Sequence, residues 1–105
     1  MDPKTIEPNP RRDQVIEILK TVEDPEIFLD IWFLGLIYDI VITVDKIIDI
    51  AMTFTSPMCP AGPQLVAEVQ QKVSTLPGVD RVNVRVVFEP PWQPSDEVKA
   101  MLGMI

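Results

Sequence analysis

A chain of 105 residues that is 47% hydrophobic has the size of one domain and the apolar material for one modest core. Its 16 acidic residues against 9 basic ones leave a net charge of -7, which argues against nucleic acid and anionic membrane surfaces as partners. The single cysteine cannot close an internal disulfide, so a reducing compartment, the cytoplasm, is the expected setting.

Residues 1–9 are polar and proline-containing, with no basic stretch leading into an apolar run, and read as a tail, not a secretory signal. The remainder, 10–105, reads as one domain. Asn9 and Pro10 make a good helix start, a side-chain cap followed by a residue with no amide proton to satisfy. Val15, Ile18, Leu19 and Val22 then fall on one helical stripe, which should end by Asp24 because Pro25 disfavours helical geometry before it. The segment from Ile27 to Val44 has the length of a short membrane span. Asp30 and Asp39 inside it make insertion costly, and it reads instead as a very hydrophobic loop up to Gly35 followed by a buried strand.

From Leu36 the period becomes two: Tyr38, Ile40, Ile42 and Val44 share one side. After the polar break Asp45-Lys46, the residues Ile48, Ile50, Met52 and Phe54 alternate with Asp49, Ala51, Thr53 and Thr55, so the two runs form an antiparallel hairpin with one buried face. A helix follows, with Leu65, Val66, Val69, Val73 and Leu76 on one stripe and a stop at Pro77-Gly78. Val82, Val84, Val86 and Phe88 mark a third strand, ending in Glu89-Pro90-Pro91-Trp92. Ser95 to Leu102 reads as a closing helix, capped by Ser95 and ended by Gly103. The order α-β-β-α-β-α implies an α/β (α+β) two-layer sandwich, a small three-stranded mixed sheet with helices on one face. Periodicity leaves open which hairpin strand the third one joins.

Cys59 lies in Thr55-Ser56-Pro57-Met58-Cys59-Pro60, between a strand end and a helix expected to begin at Pro60 or Pro63. Unpaired amides and the helix dipole favour an anion there, and so the thiolate, which is both nucleophile and soft-metal ligand. A lone cysteine is also often a small buried apolar group. With no histidine in the chain, cysteine-histidine catalysis is excluded and the usual general base is missing, so the chain does not read as an enzyme. One sulfur cannot make a closed zinc site. A metal held by Cys59 would need carboxylates, outside ligands or a second chain, and a soft thiolate points to iron, copper or sulfide species in transit. Asp24 and Glu26 are candidate ligands or proton acceptors, and equally serve as solvated turn charges.

Four stretches in order, Asp24-Pro25-Glu26, Asp30 to Ile40 (DIWFLGLIYDI), Thr55 to Pro60 (TSPMCP) and Glu89 to Trp92 (EPPW) with Leu102-Gly103 beyond, resemble the SufT and PaaD-like iron-sulfur cluster assembly family over about Val15 to Gly103. The resemblance implies the fold of an iron-sulfur assembly domain and a role in maturing iron-sulfur proteins, with iron or a cluster handled transiently. It maps the family's functional cysteine onto Cys59, its acidic motif onto Asp24 to Glu26 and its turn threonine onto Thr55. The implied partners are the cluster assembly machinery and client apo-proteins, and two chains pairing their Cys59 thiols would form a homodimer. An accessory subunit of an oxygenase system, with a structural cysteine, is the alternative.

The chain departs from the pattern at Phe28, where the family often has proline, and at Phe33, where a polar or acidic residue is common. Phe28, Trp32 and Phe33 are therefore candidates for an exposed partner-binding patch, or else core. Trp92, after two prolines, is expected to fold over the sheet end or shield the cysteine turn, and is a further partner-binding candidate.

Overall fold

The computed structural model describes residues 11–25, 27–55 and 60–103. Among these residues, three helices and three strands occur in the expected order: α1 (Arg12–Leu19), β1 (Ile37–Ile42), β2 (Ile47–Met52), α2 (Gly62–Val73), β3 (Arg81–Val86) and α3 (Asp96–Met101).

β2 is the central strand, antiparallel to β1 and parallel to β3. The third strand thus joins the second half of the hairpin, with α2 as the crossover that a parallel pair requires. Ile48, Ile50 and Met52 of β2 are fully buried. They pack in one cluster with Val15 and Leu19 of α1 and Leu65, Val69 and Val73 of α2. The two-residue period of β2 and the helical stripes of α1 and α2 therefore supply one shared core, the two layers that the pattern predicts.

The opposite side of β2 is less wet than strict alternation implies. Ala51 is only 5% exposed, because its register partners are Asp39 and Arg85, whose longer side chains flank a methyl group on the middle strand. Arg85 reaches across to Asp49 at 3.2 Å on the same side.

Helix boundaries differ from the expectation at two ends. The first helical residue of α1 is Arg12, with Arg11 extended at the cap position and its amide donating to the Gln14 side chain at 2.9 Å. The helix thus begins two residues after Pro10, and Asn9 and Pro10 lie outside the described residues. Arg11 also hydrogen-bonds Asp13, which holds that exposed carboxyl below its ordinary range. α2 ends at Val73, ahead of Pro77-Gly78, because Ser74 and Thr75 turn their hydroxyls back onto the carbonyls of Gln71 and Lys72. Such back-bonding competes with continuation of the helix. The closing helix matches its prediction closely: the Ser95 hydroxyl accepts from the Val98 amide at 3.2 Å, and Gly103 takes a positive φ of 75° after the last turn.

Val44 was expected in the apolar row of β1 and instead sits 97% exposed in the hairpin turn. β1 ends at Ile42 because Thr43 opens the turn and Lys46, at φ 66°, closes it in the left-handed region. β1 also carries a bulge: Ile37 pairs with Met52 and Asp39 with Ala51, leaving Tyr38 as the extra residue. The Tyr38 hydroxyl donates to the Pro90 carbonyl at 2.8 Å. The extra residue re-aims that side chain toward the segment after β3, a common use of a bulge.

Candidate functional site

Described parts of the motifs that carry the resemblance, the loop around Leu34-Gly35, Thr55 and Trp92, lie far apart in sequence and meet at one end of the sheet. Their assembly starts with backbone hydrogen bonds in the hydrophobic loop. The Asp24 amide donates to Leu29 at 3.0 Å, Ile31 to Val22 at 2.9 Å and Leu36 to Ile31 at 3.1 Å. The Thr53 amide then donates to Leu36 at 2.8 Å. The loop bearing Asp24 is thereby tied to the end of β2. Ile31, Leu34 and Leu36 are buried within it, which explains its hydrophobicity: it is a core element without regular secondary structure.

Trp92 joins the same place from the other side. Its indole N–H donates to the Leu34 carbonyl at 2.7 Å, and its ring nitrogen lies 4.0 Å from where a Cβ on Gly35 would stand. Gly35 itself has a φ of 78°, a conformation glycine adopts without steric cost. The Leu34-Gly35 pair is therefore the seat of the tryptophan. Trp92 is half-buried and packs against the core, as an anchor of the segment that Tyr38 also holds through Pro90.

Between these elements Thr53, Phe54, Thr55, Phe88, Pro91 and Trp92 line a cavity of about 130 Å³. Phe54 and Phe88 meet edge to face, centroids 6.1 Å apart. Phe54 also packs on the first turn of α2, where a Cβ on Gly62 would stand 2.6 Å from its ring. Gly62 is therefore required for close approach of ring and helix, not for backbone conformation. Gly62→Ala is expected to displace Phe54 and lower stability by about 1–3 kcal/mol, the usual cost of overpacking. Denaturant unfolding checks this, and an unchanged midpoint would show that the ring moves freely.

Cys59 and Glu26 lie outside the described residues, and so does the thiol's proposed pairing between two chains. The flanks of Cys59 are defined. It follows Thr55 by four residues and precedes Gly62, the helix residue that meets Phe54, by three. α2 begins at Gly62, between the two starts expected, with Pro63 in its first turn and no acidic residue there. Nothing in that turn offsets the positive end of the helix dipole. Thr55 lines the cavity and is half-buried.

Asp24 is only 1% exposed, unlike the solvated turn charge that was one reading of it. Its carbonyl accepts from the Ile27 and Phe28 amides at 3.3 and 2.8 Å. Among the described residues no cluster of three or more histidine, cysteine, aspartate or glutamate side chains could hold a metal.

The aromatic candidates divide. Trp32 and Phe33 are half-buried against the core, whereas Phe28 is 72% exposed. Phe28 also has a φ of 64° and donates its amide to Asp24. Proline can adopt neither feature, since its φ is fixed near -65° and it has no N–H. The loop is therefore built differently here from one with proline at that position. A bulky residue in the left-handed region is strained. Phe28→Gly is expected to raise stability by about 1 kcal/mol, and Phe28→Pro to lower it by more than that. Thermal denaturation of the pair tests the assignment, which fails if glycine destabilises.

Sequence reasoning missed Thr53 and Phe88 as site residues. Thr53 was placed with the outward positions of its strand and Phe88 with an apolar row, because alternation does not show how a chain turns past the strand's last residue.

The fold and site define a small α+β domain with a cavity walled by threonines and aromatics at the end of its central strand. The chain belongs to the iron-sulfur cluster assembly protein family, whose sequence model matches residues 12–86. It is 35% identical over 96 residues to an Fe-S protein maturation auxiliary factor of Porphyromonas gingivalis, covering 89% of this chain and 91% of that one. Identity to the Fe-S protein maturation auxiliary factor YitW of Bacillus subtilis is 40% over 81 residues, 77% of this chain and 79% of that one. A conserved hypothetical protein from Thermotoga maritima has a similar solved structure, with a TM-score of 0.82, 34% identity, and 93% and 99% of the two chains covered. No described helix is long and apolar enough to cross a membrane.

Proposed function

We propose that this protein is a maturation factor for iron-sulfur proteins, working through Cys59 on iron, sulfide or a cluster that is cargo and not a resident cofactor. The observation that carries the reading is the convergence of Leu34-Gly35, Thr53 to Thr55 and Trp92 at the end of β2, from which the chain runs on to Cys59. A rigid frame at that point holds the flanks of a thiol whose own segment contains three prolines between Pro57 and Pro63. The names of the similar proteins support maturation in preference to a catalysed metabolic reaction. Asp24, and Glu26 two residues on, serve as carboxylates that tune or complete the site when cargo is present.

Phe28 is the proposed contact with client or assembly proteins. A strained aromatic with 72% of its surface in water contributes little to its own fold, and strain of this kind concentrates at working surfaces. The protein is proposed to act in the cytoplasm.

The reading is tested by following recovery of activity of an apo iron-sulfur enzyme given iron and sulfide anaerobically, with and without the protein. Faster recovery in its presence is expected. Equal rates at stoichiometric protein across several clients would reject the maturation role.

A further inference from the structure

We propose that the open edge of β3, with the apolar groove between it and α2, docks an extended segment of a partner protein in which apolar and acidic residues alternate. The segment adds to the sheet as a further strand. The proposal is independent of the chemistry at Cys59.

Three observations carry it. The first is an unused backbone edge. β3 pairs with β2 in unbroken parallel register along its whole length, and among the described residues no strand lies on its other side. The Val87 amide donates to the Met52 carbonyl at 2.8 Å, beside the pair Met52 and Val86. By the two-residue period, the amides of Asn83 and Arg85 also face β2, while the amides and carbonyls of Val82, Val84 and Val86 face outward. Natural edges are often closed by a bulge, a proline or an inward-pointing charge. β3 has none of these: its register carries no shift, and its inward row is valine throughout.

The second is a groove beside that edge. Phe54, Pro63, Val66, Ala67, Gln70 and Val86 line a space of about 370 Å³, and all but Gln70 are apolar. Val86 belongs to both edge and groove, and is 36% exposed at the end of the strand. A residue paired with an outward-facing valine backbone places its side chain on the same face of the sheet as that valine, toward α2. Apolar side chains at every second position of the added strand therefore enter the groove. Backbone bonds supply affinity and the groove supplies selectivity, as in other cases of strand addition.

The third is charge. The solvent side of β3 carries Arg81, Asn83 and Arg85 and no acidic residue, on a chain of net charge -7. Arg85 bonds Asp49 at 3.2 Å, whereas the exposed Arg81 forms no ion pair among the described residues. Screening confines the chain's overall negative field to about 8 Å at physiological ionic strength, so the arginines act locally beside the strand. They disfavour a second copy of this chain as the occupant. In antiparallel self-pairing centred on Asn83 or on Val84, Arg81 falls opposite or diagonal to Arg85 of the second copy, and facing like charges destabilise a sheet. Acidic residues in those places are favourable instead, which sets the alternation expected of the partner.

The test follows amide hydrogen exchange and chemical shifts of the full chain by NMR. The probe is a short capped peptide in which valine and glutamate alternate. Two controls accompany it, valine alternating with lysine, and the probe's own residues sorted into a valine block and a glutamate block. In the free protein the amides of Val82, Val84 and Val86 should exchange fast and those of Asn83 and Arg85 slowly. The alternating valine-glutamate peptide is expected to shift and protect the outward three, and the controls are not. Ala67→Glu, at an exposed groove position, should weaken binding by about tenfold because it sets a charge against apolar side chains. Arg81→Glu should weaken it by about threefold to fivefold. Either variant decides the point if the other does not fold. No protection by the probe, equal binding of a control, or undiminished affinity in a folded variant would each overturn the proposal. Outward amides already protected in the free monomer would show the edge covered by the chain itself, and protection rising with protein concentration would show a second copy there. Either result overturns it too. The maturation role stands or falls on client recovery alone, so the two claims fail separately.

Discussion

Trp92→Ala is expected to lower the melting temperature by about 10–20 °C, the largest stability loss of any single change outside the fully buried core. Full truncation of a buried tryptophan costs about 3–5 kcal/mol, and a half-buried one correspondingly less, about 2–3 kcal/mol. In a domain of this size each kcal/mol moves the midpoint by about 4–8 °C. Two effects combine: the ring leaves Leu34-Gly35 uncovered, and the Leu34 carbonyl loses its 2.7 Å donor. Trp92→Phe separates them. It keeps most of the apolar surface and removes the N–H, so it should cost only about 1 kcal/mol. If alanine is no worse than phenylalanine, the tryptophan is held by its hydrogen bond alone and the packing account fails. Because Trp92 also walls the cavity, the alanine variant should mature clients poorly even at temperatures where it remains folded.

Cys59→Ser is expected to abolish the acceleration of client recovery, a loss of at least about tenfold, while the cooperative unfolding transition persists. Serine offers an alkoxide only at very high pH, whereas the thiolate is accessible near neutrality and binds soft metals. Gly62→Ala provides a graded companion, since it displaces Phe54 without touching sulfur. A Cys59→Ser protein as effective as the native one would assign the maturation role to the carboxylates or to the Phe28 surface instead.

Periodicity made most of the fold legible. The alternation through Ile48, Ile50 and Met52 and the stripe Leu65, Val69, Val73 identify the buried faces because side-chain direction is set by backbone geometry. The serine cap of α3 was equally readable, since a local hydrogen bond determines it. The pairing of β3 with β2 was not readable, because valine-rich strands on either edge would satisfy the same local pattern. The bulge at Tyr38 was hidden for a related reason: the partner of its side chain, the Pro90 carbonyl, lies 52 residues away. Motif resemblance singled out Asp24, Thr55 and Trp92 as candidates, and what sequence could not show is that Leu36 bonds the end of β2 while Leu34 bonds Trp92. Thr53 gave no signal because a threonine within an alternating strand has no distinguishing neighbour in sequence; only its burial against a cavity sets it apart. Phe28 was visible as a departure, and its left-handed backbone explains why proline is incompatible there.

The central claim, that Cys59 holds iron and sulfide on their way to clients, is tested most directly by visible absorption. Native protein and Cys59→Ser are each offered iron and sulfide anaerobically, separated from excess reagent, and compared at equal concentration. The native chain should show sulfur-to-iron charge-transfer bands that the variant lacks. Equal bands in both, or none in either while client recovery survives the substitution, would contradict it.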